Sequence, residues 1–299
     1  MWTKANMPDQ TGKTVIVTGS NVGVGFETAL AFYEKGAHVL VASRSLKNAA
    51  HAIERMQEKK GKGSLEAGVL DLSDLRLVKE FADSFVKKHR ELHVLINNAG
   101  VMTPPASKTV QGFELQFGVN FLGHFALTGY LYPLLNTIHG SRIVTVSSNA
   151  YLRGAVDFDN LKSEISYDPV REYNQSKLAD IIFSIELQRR LQSIHAQTVS
   201  IAAQPGANKT ELTRYMSEEA LTEGIKRVGA LMDPWQGALP SLYAAVSDKA
   251  IPGMLYGPDQ DGGYRGYPAQ AEITANALDE TVGKRLWSFA EEATGIFFP

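Results

Sequence analysis

The chain contains no cysteine, which excludes disulfides, thiolate metal sites, cysteine nucleophiles and thiol oxidation from its chemistry. It also lacks any large excess of one charge. Thirty basic residues stand against 32 acidic ones, a formal net charge of −2, and the one short cluster of like sign is Lys59, Lys60 and Lys62. That balance argues against nucleic acid as a partner. No run approaches the ~18 consecutive apolar residues of a membrane span, because charge interrupts apolar windows such as Asp180 to Phe183. Met1 to Thr14 is polar, carries Asp9 and Gln10, and lacks the basic start and apolar stretch of a signal peptide, so a cytoplasmic location is expected. No fixed-period repeat and no low-complexity linker is present.

What remains is ordinary globular material: 299 residues, 44% hydrophobic and 21% charged, suited to one large domain. Short apolar runs at Thr14–Val17, Val39–Ala42, Gly68–Leu70, Val94–Ile96, Arg142–Val146, Thr198–Ala202 and Met254–Tyr256 read as strands. Helical patterns at Phe26–Lys35, Asp74–Lys88, Phe113–Leu135 and Tyr173–Leu191 lie between them. This alternation predicts an α/β, doubly wound (Rossmann-like), mostly parallel sheet with helices on both faces, in a single domain. Residues 1–13 read as an N-terminal extension. The Gly- and Pro-rich stretch Pro252–Pro268 reads as a loop, so that residues 258–299 form a C-terminal loop and a packed helix marked by Leu278, Val282, Leu286 and Phe289.

In such a sheet, ligands bind beyond the carboxyl ends of the strands, and the candidate motifs lie there. Gly19, Asn21, Gly23, Val24 and Gly25 follow the first strand and open a helix, in the spacing G-x-x-x-G-x-G. Backbone N–H groups and a helix N-terminus in that place suit a pyrophosphate; a plain tight turn is the competing reading. After the second strand, where NAD sites carry an acidic residue, stand Ser43 and Arg44, the latter nineteen residues beyond Gly25. A guanidinium grips a 2′-phosphate, which favours NADP(H) over NAD(H). Asp71 and Leu72 end the third strand, where Asp71 can meet the adenine amino group, although N-capping of the next helix is an open use of Asp71 or Ser73. Asn97, Asn98, Ala99 and Gly100 end the fourth strand. Asn97 is expected near the cofactor and Asn98 in tying strand ends together.

Tyr173 and Lys177 are four apart at the start of a helical pattern and so share a face. A nearby ammonium favours the phenolate of a tyrosine that is otherwise a poor acid or base at neutral pH. Ser147 and Ser148 end the strand before, where a hydroxyl can hold a substrate oxygen. Asn120 sits inside a helix that would not select it by propensity, either to order a water beside Lys177 or as a buried residue satisfied by nearby backbone.

Together these motifs resemble the short-chain dehydrogenases/reductases, whose marks are T-G-x-x-x-G-x-G, N-N-A-G, an Asn, a Ser and Y-x-x-x-K in this order. The resemblance covers essentially the whole chain. It implies Ser148 rather than Ser147 as the substrate-binding hydroxyl, Tyr173 as acid/base, and Lys177 and Asn120 as relay, with Tyr173 and Lys177 also against the cofactor. It implies that Pro205 and Gly206 form the turn beside the nicotinamide and that Thr210 lies near its amide or phosphates. Two departures stand out: Gln204 and Ala207 flank that turn, and Ser148 lies 25 residues before Tyr173, with Tyr151 to Glu172 inserted. The insertion and the stretch Asn174 to Asp180 look most like the retinol dehydrogenase branch.

The implied reaction is hydride transfer between NADP(H) and a carbonyl or alcohol. Reduction of an activated C=C bond and a catalytically silent NADP(H)-binding regulator are the alternatives. Residues of about 207–234 are expected to form a lid over a bulky lipophilic substrate, unless their apolar side chains bury against the sheet. No metal is expected, since His38, His51, His89, His93, His124, His139 and His195 show no ligand spacing. A homo-oligomer is compatible with everything above.

Overall fold

A computed structural model describes all residues, 1–299. In chain order the elements are β1 (Thr14–Thr18), α1 (Gly23–Glu34), β2 (His38–Ser43), α2 (Leu46–Gln57), β3 (Ser64–Val69), α3 (Leu75–Lys88), β4 (Val94–Asn97), a π-helical segment (Phe117–Leu122) running into α4 (Gly123–Leu135), and β5 (Arg142–Val146). There follow α5 (Pro169–Ser193), β6 (Val199–Ala203), α6 (Glu218–Val228), α7 (Pro234–Val246), β7 (Leu255–Gln260), β8 (Arg265–Ala271), α8 (Ala275–Leu278) and α9 (Glu280–Thr294). The sheet order is β3-β2-β1-β4-β5-β6-β7-β8, parallel except for the β7–β8 pair.

Alternation along each strand sends side chains to two cores. Val15, Val17, Val39, Val41, Val144 and Val146 pack beneath α1, α2 and α7. Ile16, Leu40, Leu95 and Ile143 pack beneath α3, α4, α5 and α9. With both faces covered, the strands are near-continuous apolar runs, as burial on both sides requires. The chain winds outward from β1 to β3, then returns to the other side of β1 with β4, so the switch point and its crevice lie beyond the carboxyl ends of β1 and β4.

Several local features depart from the sequence reading. Helix α2 is absent from the predicted series; its buried Ala49, Ala52 and Met56 form a narrow stripe, and Ser45 caps it by accepting from Asn48 N–H at 3.3 Å. Residues Pro252–Pro268, read as a loop, hold β7 and most of β8, in which Pro258 pairs with Pro268 across an antiparallel hairpin at the edge of the sheet. Prolines are tolerated on an edge, where no ladder N–H is demanded. Regular helix begins at Leu115 rather than Phe113, and α5 begins four residues before Tyr173, with Asp168 accepting from Arg171 N–H at 2.6 Å and Pro169 in the first turn. The cap of α3 is Asp74, neither Asp71 nor Ser73: Asp71 Oδ1 accepts from both the N–H and the hydroxyl of Ser73, at 2.9 and 2.6 Å, forming the turn that leads in.

Candidate active site

The turn after β1 is built for close backbone approach. Gly19 has φ +65°, and a Cβ there would lie 2.9 Å from Ala99 Cα. A Cβ on Gly25 would meet the Asn98 amide and come within 2.5 Å of the Gly19 carbonyl oxygen. Val22 precedes α1 with no side-chain cap, so the first N–H groups of the helix face the crevice without a protein partner. Thr210 packs above the turn, its Cγ2 3.2 Å from where a Gly23 Cβ would stand. Asn21 and Val24 lie in the same turn, half-buried. Glycines held tight from behind, with N–H groups open in front, fit a dinucleotide pyrophosphate.

The end of β1 is stitched to β4 through Thr18. Its hydroxyl accepts from the N–H groups of Asn98 and Ala99, both at 2.9 Å, while the Asn98 side-chain amide donates to the Thr18 carbonyl at 2.8 Å. Asn98 thus performs the strand-tying expected of it. Asn97 is buried, and its side chain donates to Thr128 Oγ1 on α4 at 3.0 Å rather than opening to the crevice. Gly100 lies close to Asn120 and Lys177. Ser43 is buried at the end of β2, and Arg44 beside it is exposed and makes no hydrogen bond or ion pair within the chain. Leu72 belongs to the core under α4.

Tyr173, on the second turn of α5, is buried together with Lys177 one turn on. Burial pushes the Tyr173 phenol up, and the Lys177 ammonium and the nearby Ser148 hydroxyl pull it back. Ser147 is used elsewhere, its hydroxyl donating to the Lys177 carbonyl at 2.7 Å and fastening β5 to α5. Ser148 is therefore the hydroxyl beside the phenol. Lys177 Nζ donates to Val146 O at 3.0 Å and to Asp180 Oδ2 at 2.8 Å.

Asn120 lies in the π-helical segment, a local widening that recurs at functional sites. Both ends of its amide are committed. Oδ1 accepts from Val101 N–H at 2.8 Å, and Nδ2 donates to Val101 O at 3.0 Å and Ser176 Oγ at 2.9 Å. Its carbonyl accepts from His124 Nδ1 at 2.7 Å, which leaves Nε2 to accept from the Thr18 hydroxyl at 2.8 Å. Burial pushes His124 down to about 3, so this ring is neutral. A continuous polar chain thus runs from the glycine turn through His124 and Asn120 to the helix that carries Tyr173.

Beyond β6, Gly206 has φ +71°, and its N–H donates to Gln204 Oε1 at 2.8 Å. Gln204 Nε2 donates in turn to Gly263 O at 2.9 Å, so this departure from the family pattern ties the Pro205–Gly206 turn to the β7–β8 hairpin. In the inserted loop, Tyr151 is buried with its hydroxyl donating to Glu272 O at 2.9 Å, and Phe158 lies under Arg285 of α9. The insertion is anchored on the C-terminal elements.

Asp180 and His124 escaped the sequence reading. Asp180 carried a signal, an acidic residue three positions beyond Lys177 on one helical face. His124 carried none, because its partner Thr18 lies 106 residues away.

Comparison with known proteins agrees with this geometry. Residues 13–221 match the short chain dehydrogenase family. Retinol dehydrogenase 14 of Homo sapiens is 37% identical over 301 residues, spanning 95% of this chain and 87% of its own. Retinol dehydrogenase 13 of Homo sapiens is also 37% identical, spanning 99% and 88%. A putative uncharacterized protein from Mycobacterium Paratuberculosis has a crystal structure that superposes with a TM-score of 0.82 at 35% identity, covering 100% of this chain and 99% of that one. The chain belongs to the short chain dehydrogenase family and, within it, to the branch related to the retinol dehydrogenases.

Proposed function

We propose that the protein is an NADP(H)-dependent oxidoreductase that interconverts a lipophilic carbonyl compound and its alcohol. The observation that carries this reading is the buried Tyr173 phenol, flanked by the Lys177 ammonium and the Ser148 hydroxyl beyond the carboxyl end of β5. Hydride is the chemistry that a bound nicotinamide would supply, and the Gly19–Gly25 turn, Ala99, Gly100, Pro205, Gly206 and Thr210 would hold it. The other tasks fall to the chain. The Ser148 hydroxyl donates to the substrate oxygen, and Tyr173 gives its phenolic proton to that oxygen on reduction or takes it back on oxidation. Lys177 holds positive charge beside the phenol and so favours its ionised form. An exposed Arg44 without a protein partner, and no carboxylate at that place, support the phosphorylated cofactor.

The segment after Thr210 supports a bulky apolar substrate. Helix α6 has no buried residue. Leu221 and Ile225 lie one turn apart on it, and Tyr215 and Ile225 remain 46% and 37% exposed. Apolar side chains left this bare on a loosely docked helix and just before it suit a lid that finds its burial on bound substrate.

The test is a panel of aldehydes, ketones, enones and alcohols with NADPH and NADP⁺. Turnover of carbonyls with NADPH is expected, with kcat/KM rising up to roughly fourfold per added CH₂ from propanal to decanal, the worth of about 0.8 kcal/mol each. Reduction confined to the enone C=C bond contradicts the carbonyl assignment. A flat or falling series contradicts the lipophilic pocket.

A further inference from the structure

At the amino ends of β2 and β3, away from the cofactor crevice, three donor groups from distant parts of the chain meet. His38 opens β2, Glu66 lies on β3, and His89 caps the C-terminus of α3. Strand register places His38 opposite Ser64 and Leu40 opposite Glu66, so His38 and Glu66 share the sheet face that α3 covers. Glu66 Oε2 is 3.4 Å from His38 Nε2 and 3.1 Å from His89 Nε2, and the three atoms lie within 4.8 Å of one another. We propose that His38, Glu66 and His89 form a binding site for a divalent transition-metal ion of the zinc class.

Three observations support it. Both Nε2 atoms are buried and make no aligned hydrogen bond, although the carboxylate oxygen is near. Two unpaired imidazole nitrogens turned toward one carboxylate oxygen form a donor set short of a centre. The two separations from Glu66 Oε2, 3.4 and 3.1 Å, fit as well: with metal–ligand bonds of about 2.05 Å, donor atoms on a tetrahedral centre stand about 3.3 Å apart and those on an octahedral one about 2.9 Å. The remaining atoms are already held in the manner of an outer shell. His38 Nδ1 is bonded to Ser64 Oγ at 2.7 Å, Glu66 Oε1 accepts from Lys88 Nζ at 3.3 Å, and the His89 ring stacks on Phe85 at 4.5 Å.

A mixed nitrogen and oxygen donor set selects zinc-class ions over magnesium or calcium. The side chains are 16 to 29% exposed, so the cluster lies near the surface although both Nε2 atoms are covered. Nothing in the histidine spacing announces this cluster, because β-strand register and the end of a helix assemble it. Bound metal would pin the edge strand β3 to β2 and to the end of α3.

The test uses tag-free full-length protein, with Zn²⁺ titrated calorimetrically and Co²⁺ as a spectroscopic probe. One ion per chain at micromolar affinity is expected, with a visible Co²⁺ band and a rise in Tm of roughly 5 °C at hundredfold excess over Kd. His38→Gln and His89→Gln should each weaken binding at least tenfold, and His51→Gln should not. Absence of binding below millimolar Zn²⁺, or binding that both variants leave unchanged, overturns the site.

Discussion

Lys177 Nζ sits 2.8 Å from Asp180 Oδ2, three residues along α5, with both side chains buried. The ammonium beside the phenol is therefore shared. Burial pushes Asp180 up to about 6 and Lys177 offsets part of that, while the Asp180 charge keeps Lys177 above its ordinary value despite burial. Asp180 also adds to the upward shift of Tyr173. Two charges on one helix thus pull the phenol in opposite directions.

Asp180→Asn keeps the shape and removes the charge. The Tyr173 phenol should then ionise more readily, moving the acid limb of kcat/KM for alcohol oxidation to lower pH. A pH profile of both proteins reads this directly. An unmoved limb contradicts the coupling of Asp180 to the phenol.

His124 supplies a pH dependence of stability with a definite sign. Its folded value, about 3, lies below the ordinary 6.5. Between those values the unfolded chain takes up a proton that the native ring refuses, so the stability it contributes is present above about 6.5 and is lost as pH falls. The destabilisation caused by His124→Asn should therefore shrink by roughly 2 kcal/mol between pH 7 and pH 5. Urea unfolding of both proteins at the two pH values measures it, and a constant difference counts against a neutral buried ring.

Asn120 joins three elements, so its loss should register as stability before chemistry. Asn120→Ala removes three hydrogen bonds and leaves the buried Val101 N–H and carbonyl unpaired. A cost of about 2–4 kcal/mol in urea unfolding is expected. A loss under about 0.5 kcal/mol would show that the loop carrying Val101 is held by other contacts.

In the proposed reading, cofactor choice rests on one exposed side chain, Arg44. Arg44→Asp replaces a partner for a 2′-phosphate with a charge that repels it and should reverse the ratio of kcat/KM for NADPH over NADH, a change on the order of a few kcal/mol. A wild-type ratio below one removes the argument.

The parallel sheet, its crevice and the Tyr173, Lys177 and Ser148 constellation were legible because each rests on a local signal: a β-branched run, a glycine turn, a four-residue spacing. What the sequence concealed depends on partners far apart in the chain. Pro258 and Pro268 read as loop residues until β7 and β8 pair at an edge that tolerates them. The Asp168–Pro169 cap starts α5 early, and that signal was local but overshadowed by Tyr173. His124 acquires meaning only when β1 and α4 meet, and the His38, Glu66, His89 cluster only when β2, β3 and α3 do.

The central claim is that Tyr173 moves the proton. It is tested most directly by comparing steady-state reduction of a verified lipophilic aldehyde by the wild type and Tyr173→Phe, with NADPH binding measured in parallel. If the phenol is the group that touches the reacting oxygen, as proposed, kcat should fall at least ~10²-fold while the unfolding midpoint and NADPH affinity stay close to those of the wild type. Turnover by Tyr173→Phe at a rate near that of the wild type would contradict the account.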